Sequence, residues 1–233
     1  MVEIKGFIKT SLVDWDGKIS AVLFLPRCNF RCPMCHNHEL VLNPDDYPDI
    51  PVEVIEKYLI ENRDFIDGVV ITGGEPTLHS DIDELCERFK NLGFPVKLDT
   101  NGSFPDVLEY LIDRELVDYI AMDIKSPLNE ELYSIVSGVK ININDIKRSI
   151  ELIMNSGIDY EFRTTVVPAF HKREDISDIV LGIKGARRFI LQQFEPSNTL
   201  SPKLRDVTPY ESSFIRAIAS EYSGYIGEIK VRA

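Results

Sequence analysis

Apolar residues in this sequence fall into short continuous runs, and the segments between them carry apolar side chains at every third or fourth position. Continuous runs bounded by turn residues are typical of strands buried on both faces, as in a parallel sheet. Segments with the longer spacing are typical of helices that cover such a sheet with one side. The predicted strands occupy residues 21–26, 69–72, 96–100, 119–124, 160–167 and 188–194.

Helix boundaries are indicated by capping and breaking residues at the ends of the helical segments. Pro51 suits the first turn of a helix, and Ser80 is a candidate N-cap. Gly93 and Gly157 suit the left-handed position that ends a helix. The predicted helices occupy residues 51–62, 81–92, 103–115, 129–137, 144–156, 175–182 and 209–221.

The alternation of strands and helices predicts parallel strands with the helices outside the sheet. Six such units are too few for an eight-fold barrel, so we predict a partial (β/α)6 barrel of the TIM type. An open, doubly wound sheet is the alternative. Residues 1–20 are predicted to form an N-terminal β-hairpin that turns at Asp16 and Gly17. The 233 residues are expected to form a single domain, with residues 195–233 as a C-terminal extension.

The chain is strongly acidic, with 26 basic and 38 acidic residues and a formal net charge of −12. Such a surface repels phosphate backbones, so we expect no nucleic-acid partner. No run of 18 apolar residues is present to span a membrane, and residues 1–10 lack the apolar core of an export signal. We therefore expect a cytoplasmic protein whose four cysteines are not joined as disulfides.

Three cysteines lie close together directly after the first predicted strand, at Cys28, Cys32 and Cys35. Thiolates are soft ligands that suit zinc, copper(I) and iron–sulfur clusters. Three thiolates on one loop can hold three corners of a [4Fe–4S] cluster, which leaves the fourth iron open to a ligand that is not protein. Two alternatives remain at this point. One is a zinc site completed by His36 or His38, and the other is an electron-carrier cluster, which needs a fourth cysteine nearby.

The second predicted strand is followed by Gly73, Gly74 and Glu75. Two glycines at a strand end let a ligand approach the backbone closely, and a carboxylate beside them can receive an ammonium group. The alternative is a tight turn into the next helix. Cys86 shares one face of that helix with apolar side chains and is predicted to be a core residue.

Charged side chains also follow the next two predicted strands. Asp99 ends one of them, and Asp123 and Lys125 end the other. Because the carboxyl ends of parallel strands meet at one rim, the carboxylates are expected to bind hydroxyls or a cation there, and the lysine a ligand carboxylate. Turn chemistry is the alternative for the aspartates. Arg163, in an otherwise apolar strand, is predicted to form a structural ion pair.

The C-x3-C-x2-C loop, together with GGEP, DTNG and DIK at successive strand ends, resembles the radical S-adenosylmethionine (SAM) superfamily. The resemblance covers residues 4–194 and implies a partial barrel that binds a [4Fe–4S] cluster and SAM. Cys28, Cys32 and Cys35 would ligate the cluster, and the amino and carboxylate groups of SAM would bind the fourth iron. The reduced cluster would cleave SAM into methionine and a 5′-deoxyadenosyl radical.

The resemblance also implies how this sequence would hold SAM. Gly73, Gly74 and Glu75 would bind the methionine amino group. Asp123 and Lys125 would contact SAM at the end of a later strand.

Further contacts follow from the same resemblance. Asp99 and Asp123 could share a monovalent cation, and Met34 and His36 would lie against the adenine. Met34 stands where relatives often have an aromatic residue, and its thioether can still pack on a ring.

Residues 32–37, together with residues 99–102, resemble glycyl-radical-enzyme activases. Residues 4–15 resemble the activating proteins of anaerobic ribonucleoside-triphosphate reductase. The implied partners are that reductase and a flavodoxin or ferredoxin-type electron donor. The alternatives are activation of another glycyl radical enzyme, as for pyruvate formate-lyase, and a small-molecule reaction such as that of 7-carboxy-7-deazaguanine synthase. Activases often have a histidine where this chain has Gln192 and Gln193, so no catalytic role is assigned there.

Overall fold

The computed structural model describes residues 2–232, so Met1 and Ala233, the outer ends of the predicted hairpin and C-terminal extension, lie outside the described residues. The strands are β1 (Gly6–Ser11), β2 (Ser20–Leu25), β3 (Gly68–Gly73), β4 (Val96–Thr100), β5 (Tyr119–Asp123), β6 (Asp159–Val166), β7 (Arg188–Gln193) and β8 (Glu228–Arg232). The α-helices are α1 (His38–Leu42), α2 (Val52–Glu61), α3 (Ile82–Asn91), α4 (Pro105–Asp113), α5 (Glu130–Ser137), α6 (Ile143–Asn155), α7 (Arg173–Gly182) and α8 (Ser212–Glu221).

The eight strands of residues 2–232 form one sheet in sequential order from β1 to β8. β1 pairs antiparallel with β2, with Gly6 opposite Phe24, as predicted for the N-terminal hairpin. The pairs β2–β3, β3–β4, β6–β7 and β7–β8 are parallel. Parallel strands in sequential order with intervening helices are consistent with a partial barrel, and the predicted α/β fold class is confirmed.

Two unpredicted elements, one helix cap and one helix start distinguish the structure from the sequence-based predictions. α1 is too short, at five residues, to show a helical pattern, and β8 alternates charged and apolar residues instead of forming an apolar run. The predicted cap at Ser80 is wrong, because Asp81 occupies the N-cap position of α3. α8 begins at Ser212, three residues later than predicted.

One compact unit consists of the residues through Asn29, Asn37–Thr100 and Asp106–Ile120. In this unit Trp15 is buried and packs on Tyr119, with ring centroids 5.7 Å apart. A Cβ atom at Gly68 would lie 2.7 Å from the Trp15 ring, so only glycine fits at that point of β3. Cys86 is fully buried in α3, as predicted for a core residue. The hairpin is therefore anchored to the strands of its own unit by an aromatic contact.

A second compact unit consists of Phe30–His36, Asn101–Pro105 and the residues from Ala121 onward. Its core includes the fully buried rings of Phe162 and Phe189 on β6 and β7. α5 is capped by Asn129, whose Oδ1 accepts a hydrogen bond from the Glu131 amide at 3.0 Å. The assignment of the whole chain to a single domain stays a prediction. Among residues 2–232 no helix is both long enough and apolar enough to cross a membrane.

Candidate functional site

The end of β2, just before Cys28, is joined by backbone hydrogen bonds to the end of β3. The Gly74 amide donates to the Leu25 carbonyl at 2.8 Å, and the Glu75 amide donates to the Arg27 carbonyl at 2.8 Å. These two bonds continue the parallel β2–β3 pairing beyond the strands themselves. The backbone just before Cys28 is therefore held directly by the glycine–glycine–glutamate motif.

Two side chains tie the same segments together. The Asn37 Nδ2 donates to the Gly73 carbonyl at 2.8 Å, and the His79 Nε2 lies 2.9 Å from the Pro26 carbonyl. Since a carbonyl only accepts, this His79 nitrogen carries its proton. Both residues lie next to predicted motifs but had no role assigned from the sequence.

The two glycines are required by the neighbouring strand. Gly73 has φ +115°, and a Cβ there would lie 2.4 Å from the Leu25 carbonyl oxygen. At Gly74 the added atom would lie 1.7 Å from the Arg27 carbonyl oxygen. Any side chain at Gly74 would displace the Arg27 carbonyl and break its hydrogen bond with the Glu75 amide. The glycine is therefore required whether or not a ligand binds here.

Glu75 is 1% exposed, and its carboxylate is oriented by two threonines. The Thr77 amide donates to Glu75 Oε1 at 3.1 Å, and the Thr100 hydroxyl donates to the same oxygen at 2.7 Å. A buried carboxylate with fixed hydrogen-bond donors can receive an ammonium group without reorganising. Glu75 could be proposed from the sequence, but neither threonine was, although Thr100 lies within the DTNG motif and Thr77 directly follows GGEP.

Asp99 lies beside a buried lysine that the sequence analysis did not single out. The Thr72 hydroxyl donates to Asp99 Oδ2 at 3.2 Å, and Lys97 Nζ lies 3.6 Å from Asp99 Oδ1. Lys97 is 1% exposed and also donates to the Asp14 carbonyl in the N-terminal hairpin. A buried ammonium group needs such partners, so Lys97 links the hairpin to the strand end that carries Asp99.

The second half of the cysteine loop is well packed. Cys32 and Met34 are each 8% exposed, whereas Cys35 is half-buried. The Cys35 amide donates to the Cys32 carbonyl at 3.0 Å, which makes this part of the loop a tight turn. Burial raises the pKa of the Cys32 thiol to about 11, and the nearby Lys125 ammonium opposes that rise. Ligand binding at Cys32 would therefore release a proton.

The end of α5 supports this loop from one side. The Arg31 amide donates to the Ser137 carbonyl at 2.8 Å. The next residue, Gly138, has φ +71°, and a Cβ there would lie 2.1 Å from the Arg31 carbonyl oxygen. The loop thus lies directly on the helix end, where only glycine leaves room for it.

The segment Glu195–Ser201, whose role could not be predicted from the sequence, supports the loop from another side. The hydrogen bonds are Leu200 N to Cys35 O (3.2 Å), Ser201 N to Pro33 O (2.9 Å), Asn198 Nδ2 to His36 O (3.2 Å) and His36 Nε2 with Glu195 O (2.8 Å). No sequence signal near the cysteines indicates these contacts, because the two segments are far apart in the chain.

Asp123 is held between two cations at the end of β5. Lys125 Nζ lies 2.8 Å from Asp123 Oδ2, and Arg163 Nε donates to Asp123 Oδ1 at 2.9 Å. Burial favours the neutral carboxyl, but the two cations outweigh it and bring the pKa of Asp123 to about 2. The same carboxylate holds the pKa of Lys125 above its ordinary value despite burial. The ion pair predicted for Arg163 is confirmed.

The backbone of Lys125 is fixed by two buried side chains. The Lys125 amide donates to the Tyr133 hydroxyl at 3.2 Å, and the Lys125 carbonyl lies 2.9 Å from His171 Nε2. His171 Nδ1 accepts from the Val167 amide at 3.0 Å, so the ring is neutral with its proton on Nε2. Burial lowers the pKa of His171, in agreement with the neutral form.

The donor set on the cysteine loop fits an iron–sulfur cluster. None of the four cysteines is in a disulfide, and Cys86 lies away in the core of α3 with its pKa raised to about 12 by burial. Within residues 2–232 no three His, Cys, Asp or Glu side chains are grouped so that they could hold a metal ion. Thiolates are the usual protein ligands of iron–sulfur clusters, so the chemistry of the three cysteine side chains suits such a cluster.

We expect Gly138→Ala to lower the iron content after anaerobic reconstitution, because the added methyl group displaces the Arg31 carbonyl and the loop behind it. Gly157→Ala is the matched control, since Gly157 has a similar φ of +79° but an added Cβ there meets nothing within 4 Å. Both variants bear the same left-handed strain of about 1 kcal/mol. Iron and sulfide per chain are measured, and equal contents in the two variants would contradict this role of Gly138.

The ionised form of Asp123 is expected to stabilise the fold in a pH-dependent way. Because its folded pKa, about 2, is below the ordinary 3.8, the stabilisation is complete above about pH 5 and declines as the pH falls towards 2. Asp123→Asn should therefore lower the free energy of unfolding by about 2 kcal/mol at pH 7 and by less at about pH 3. Urea unfolding of the iron-free proteins measures this, and a difference independent of pH would refute it.

A family model described as the radical SAM superfamily matches residues 22–181 of the chain. The matched range contains the cysteine loop, the glycine–glycine–glutamate motif and the charged ends of β4 and β5. The predicted resemblance is confirmed, and the family implies SAM and an iron–sulfur cluster as bound groups.

Two curated relatives illustrate the range of similar proteins. A Methanocaldococcus jannaschii protein with the provisional name of a glycyl-radical enzyme activating enzyme is 35% identical over 235 residues, which are 98% of this chain and 95% of the relative. A 7-carboxy-7-deazaguanine synthase of Methanopyrus kandleri is 34% identical over 131 residues, which are 48% of this chain and 51% of the relative.

The fold is also found in solved structures. SuiB of Streptococcus suis aligns with a TM-score of 0.68 at 16% identity, over 91% of this chain and 50% of the SuiB chain. A crystal structure of SuiB bound to SAM aligns with the same TM-score at 17% identity. These likenesses establish a shared fold only. The family match over most of the chain leads to one conclusion: the chain belongs to the radical SAM superfamily.

Proposed function

We propose that this protein is a radical SAM activating enzyme that installs a glycyl radical on an anaerobic ribonucleoside-triphosphate reductase. The observation that carries the proposal is the 35% identity over 98% of the chain with the relative named as a glycyl-radical enzyme activating enzyme. Residues 4–15, which resemble activating proteins of that reductase, support the choice of partner.

Cys28, Cys32 and Cys35 would bind three irons of one [4Fe–4S] cluster. When bound, the reduced cluster and SAM together supply a 5′-deoxyadenosyl radical that takes a hydrogen atom from the target glycine. The contribution of the protein is to hold the loop rigid and shielded, and Cys32 is 8% exposed. The contacts of the loop with the end of α5 and with Glu195–Ser201 provide that support.

Gly73, Gly74 and Glu75 would receive the methionine amino group of SAM. The proposal is supported by the fixed carboxylate of Glu75, whose Oε1 accepts from two threonines. Lys125 would contact SAM through its ammonium group, and Asp123 would act with it, since the two are joined at 2.8 Å.

The remaining contacts are proposed from the family resemblance. Met34 and His36 would lie against the adenine, and the ring of His36 is already oriented by its bond to the Glu195 carbonyl. Asp99 and Asp123 would share a monovalent cation. A flavodoxin or ferredoxin-type protein would supply the electron, and the site of action would be the cytoplasm.

A second candidate function is a small-molecule reaction. It is favoured by the 34% identity with 7-carboxy-7-deazaguanine synthase, although that similarity covers 48% of the chain. The same residues would bind the cluster and SAM, and the two candidates differ only in the molecule that loses a hydrogen atom.

Anaerobic activation assays distinguish the two candidates. The protein is reduced with dithionite or flavodoxin and incubated with SAM and the reductase. We expect a glycyl doublet in electron paramagnetic resonance on the reductase, in parallel with release of 5′-deoxyadenosine. Release of deoxyadenosine with no protein radical on any glycyl radical enzyme, and product formation from a small molecule, would overturn the activase assignment.

Cysteine substitutions test the ligand set. Cys32→Ala should abolish the cluster, whereas Cys86→Ala should keep the full iron content and cost only core packing, about 1 kcal/mol or slightly more. Iron analysis and the optical spectrum of anaerobically purified protein measure the difference. Loss of iron from the Cys86→Ala variant would show that the cluster is ligated by a different set of thiols.

A further inference from the structure

Three polar side chains form a row across β6, β7 and β8 at the carboxyl ends of these strands. Thr165 lies opposite Gln192 in the β6–β7 register, and Gln192 lies opposite Arg232 in the β7–β8 register. Neighbours in register share one face of a sheet, so the three side chains stand on the same face. We call Thr165, Gln192 and Arg232 the polar row.

The polar row shares its face with the charged cluster around Asp123. Arg163 precedes Thr165 by two positions on β6, and alternate residues of a strand point to the same face. Arg163 holds Asp123 at 2.9 Å, and Asp123 holds Lys125 at 2.8 Å. The polar row therefore lies next to Arg163 on the same face of the sheet, two residues closer to the carboxyl end of β6. Arg163 in turn orients Asp123, one of the proposed SAM contacts.

The neighbour of Gln192 has a different environment. Gln193 faces the other side of the sheet, and its Oε1 accepts a hydrogen bond from the Ser212 hydroxyl of α8 at 2.9 Å. Gln193 thus connects the sheet to its covering helix. Gln192 and Thr165 are both half-buried, and within residues 2–232 neither side chain makes a hydrogen bond.

Half-buried amide and hydroxyl groups without protein partners are suited to a polar ligand. A glutamine carboxamide offers a donor and an acceptor in one plane, the same pair that a peptide group presents. Arg232 adds donors for a carbonyl, and its guanidinium is held by Glu161, with 3.5 Å between Nη2 and Oε2. The row therefore matches an extended peptide backbone better than an apolar ring.

We propose that the polar row binds the backbone of the partner segment that carries the target glycine, with the Gln192 carboxamide paired to a peptide group beside that glycine. The inference rests on the proposed activase function. A glycine has no side chain that could be recognised, so at the glycine itself only its peptide groups are available for contact. Gln192 is then a substrate-positioning residue on the strand where the sequence analysis could assign no role.

The test uses the anaerobic holoenzyme and a short synthetic peptide around the radical glycine of the reductase, deuterated at the glycine Cα. Gln192→Ala is compared with Gln193→Ala, which removes the same side chain from the opposite face. Transfer of deuterium into 5′-deoxyadenosine is measured by mass spectrometry, and the peptide dissociation constant by fluorescence anisotropy. Cleavage of SAM without peptide is recorded for each variant.

We expect Gln192→Ala to raise the peptide dissociation constant and lower deuterium transfer by about tenfold, the value of one or two hydrogen bonds. SAM cleavage without peptide should not change, and Gln193→Ala should resemble the wild type in all measurements. In a second peptide, an ester replaces the amide bond that contains the glycine N–H. This peptide should bind the wild-type enzyme more weakly than the normal peptide does, but it should bind the Gln192→Ala variant as well as the normal peptide does.

Three results would overturn the inference while leaving the proposed function intact. They are wild-type deuterium transfer by Gln192→Ala, an equal defect in Gln193→Ala, and a raised KM for SAM with unchanged peptide binding, which would make Gln192 a SAM contact. If the wild-type enzyme transfers no deuterium from the peptide and forms no glycyl radical on the full-length reductase, the proposed function and this inference both fall.

Discussion

The close approach of the β3 end to the β2 end is the constraint on which the site depends. The Gly74 and Glu75 amides bond to carbonyls of the β2 end, and at Gly74 even one added carbon would lie 1.7 Å from the Arg27 carbonyl oxygen. This contact fixes the chain just before Cys28 and the carboxylate of Glu75 in one step. The two glycines are thus required by the backbone pairing itself. The lack of side chains there would also let a ligand approach the backbone closely.

The charged groups around Asp123 are mainly basic, whereas the whole chain has a net charge of −12. Asp123 is bound by both Lys125 and Arg163, so this corner of the second unit carries one more positive than negative charge. The excess cation lies close enough to Cys32 to oppose the rise of its pKa. The Lys125 ammonium reduces the cost of forming a thiolate at Cys32 and attracts an anionic ligand group.

The sequence predicted the strands well because a strand buried on both faces needs an apolar run, and six such runs are present. It missed β8 because Glu228, Lys230 and Arg232 share one face of that strand, which breaks the run. Candidate site residues such as Glu75 and Asp123 could be proposed because they lie within local motifs. Their supports were missed, since Gly138 and the segment Glu195–Ser201 meet the cysteine loop only through tertiary contacts, which no local pattern records.

The difference between apolar and polar strand faces also bears on which strands could recognise the reacting molecule. In β2 to β4 the apolar residues leave few side chains for a partner, and the strand ends are occupied by groups that the cluster and SAM would need. On β6 the side chains of Glu161, Arg163 and Thr165 share one face, and Gln192 lies opposite Thr165 on β7. A polar face inside an otherwise apolar sheet costs burial energy. The polar side chains on these later strands are the reason why we propose that the strands recognise the reacting molecule.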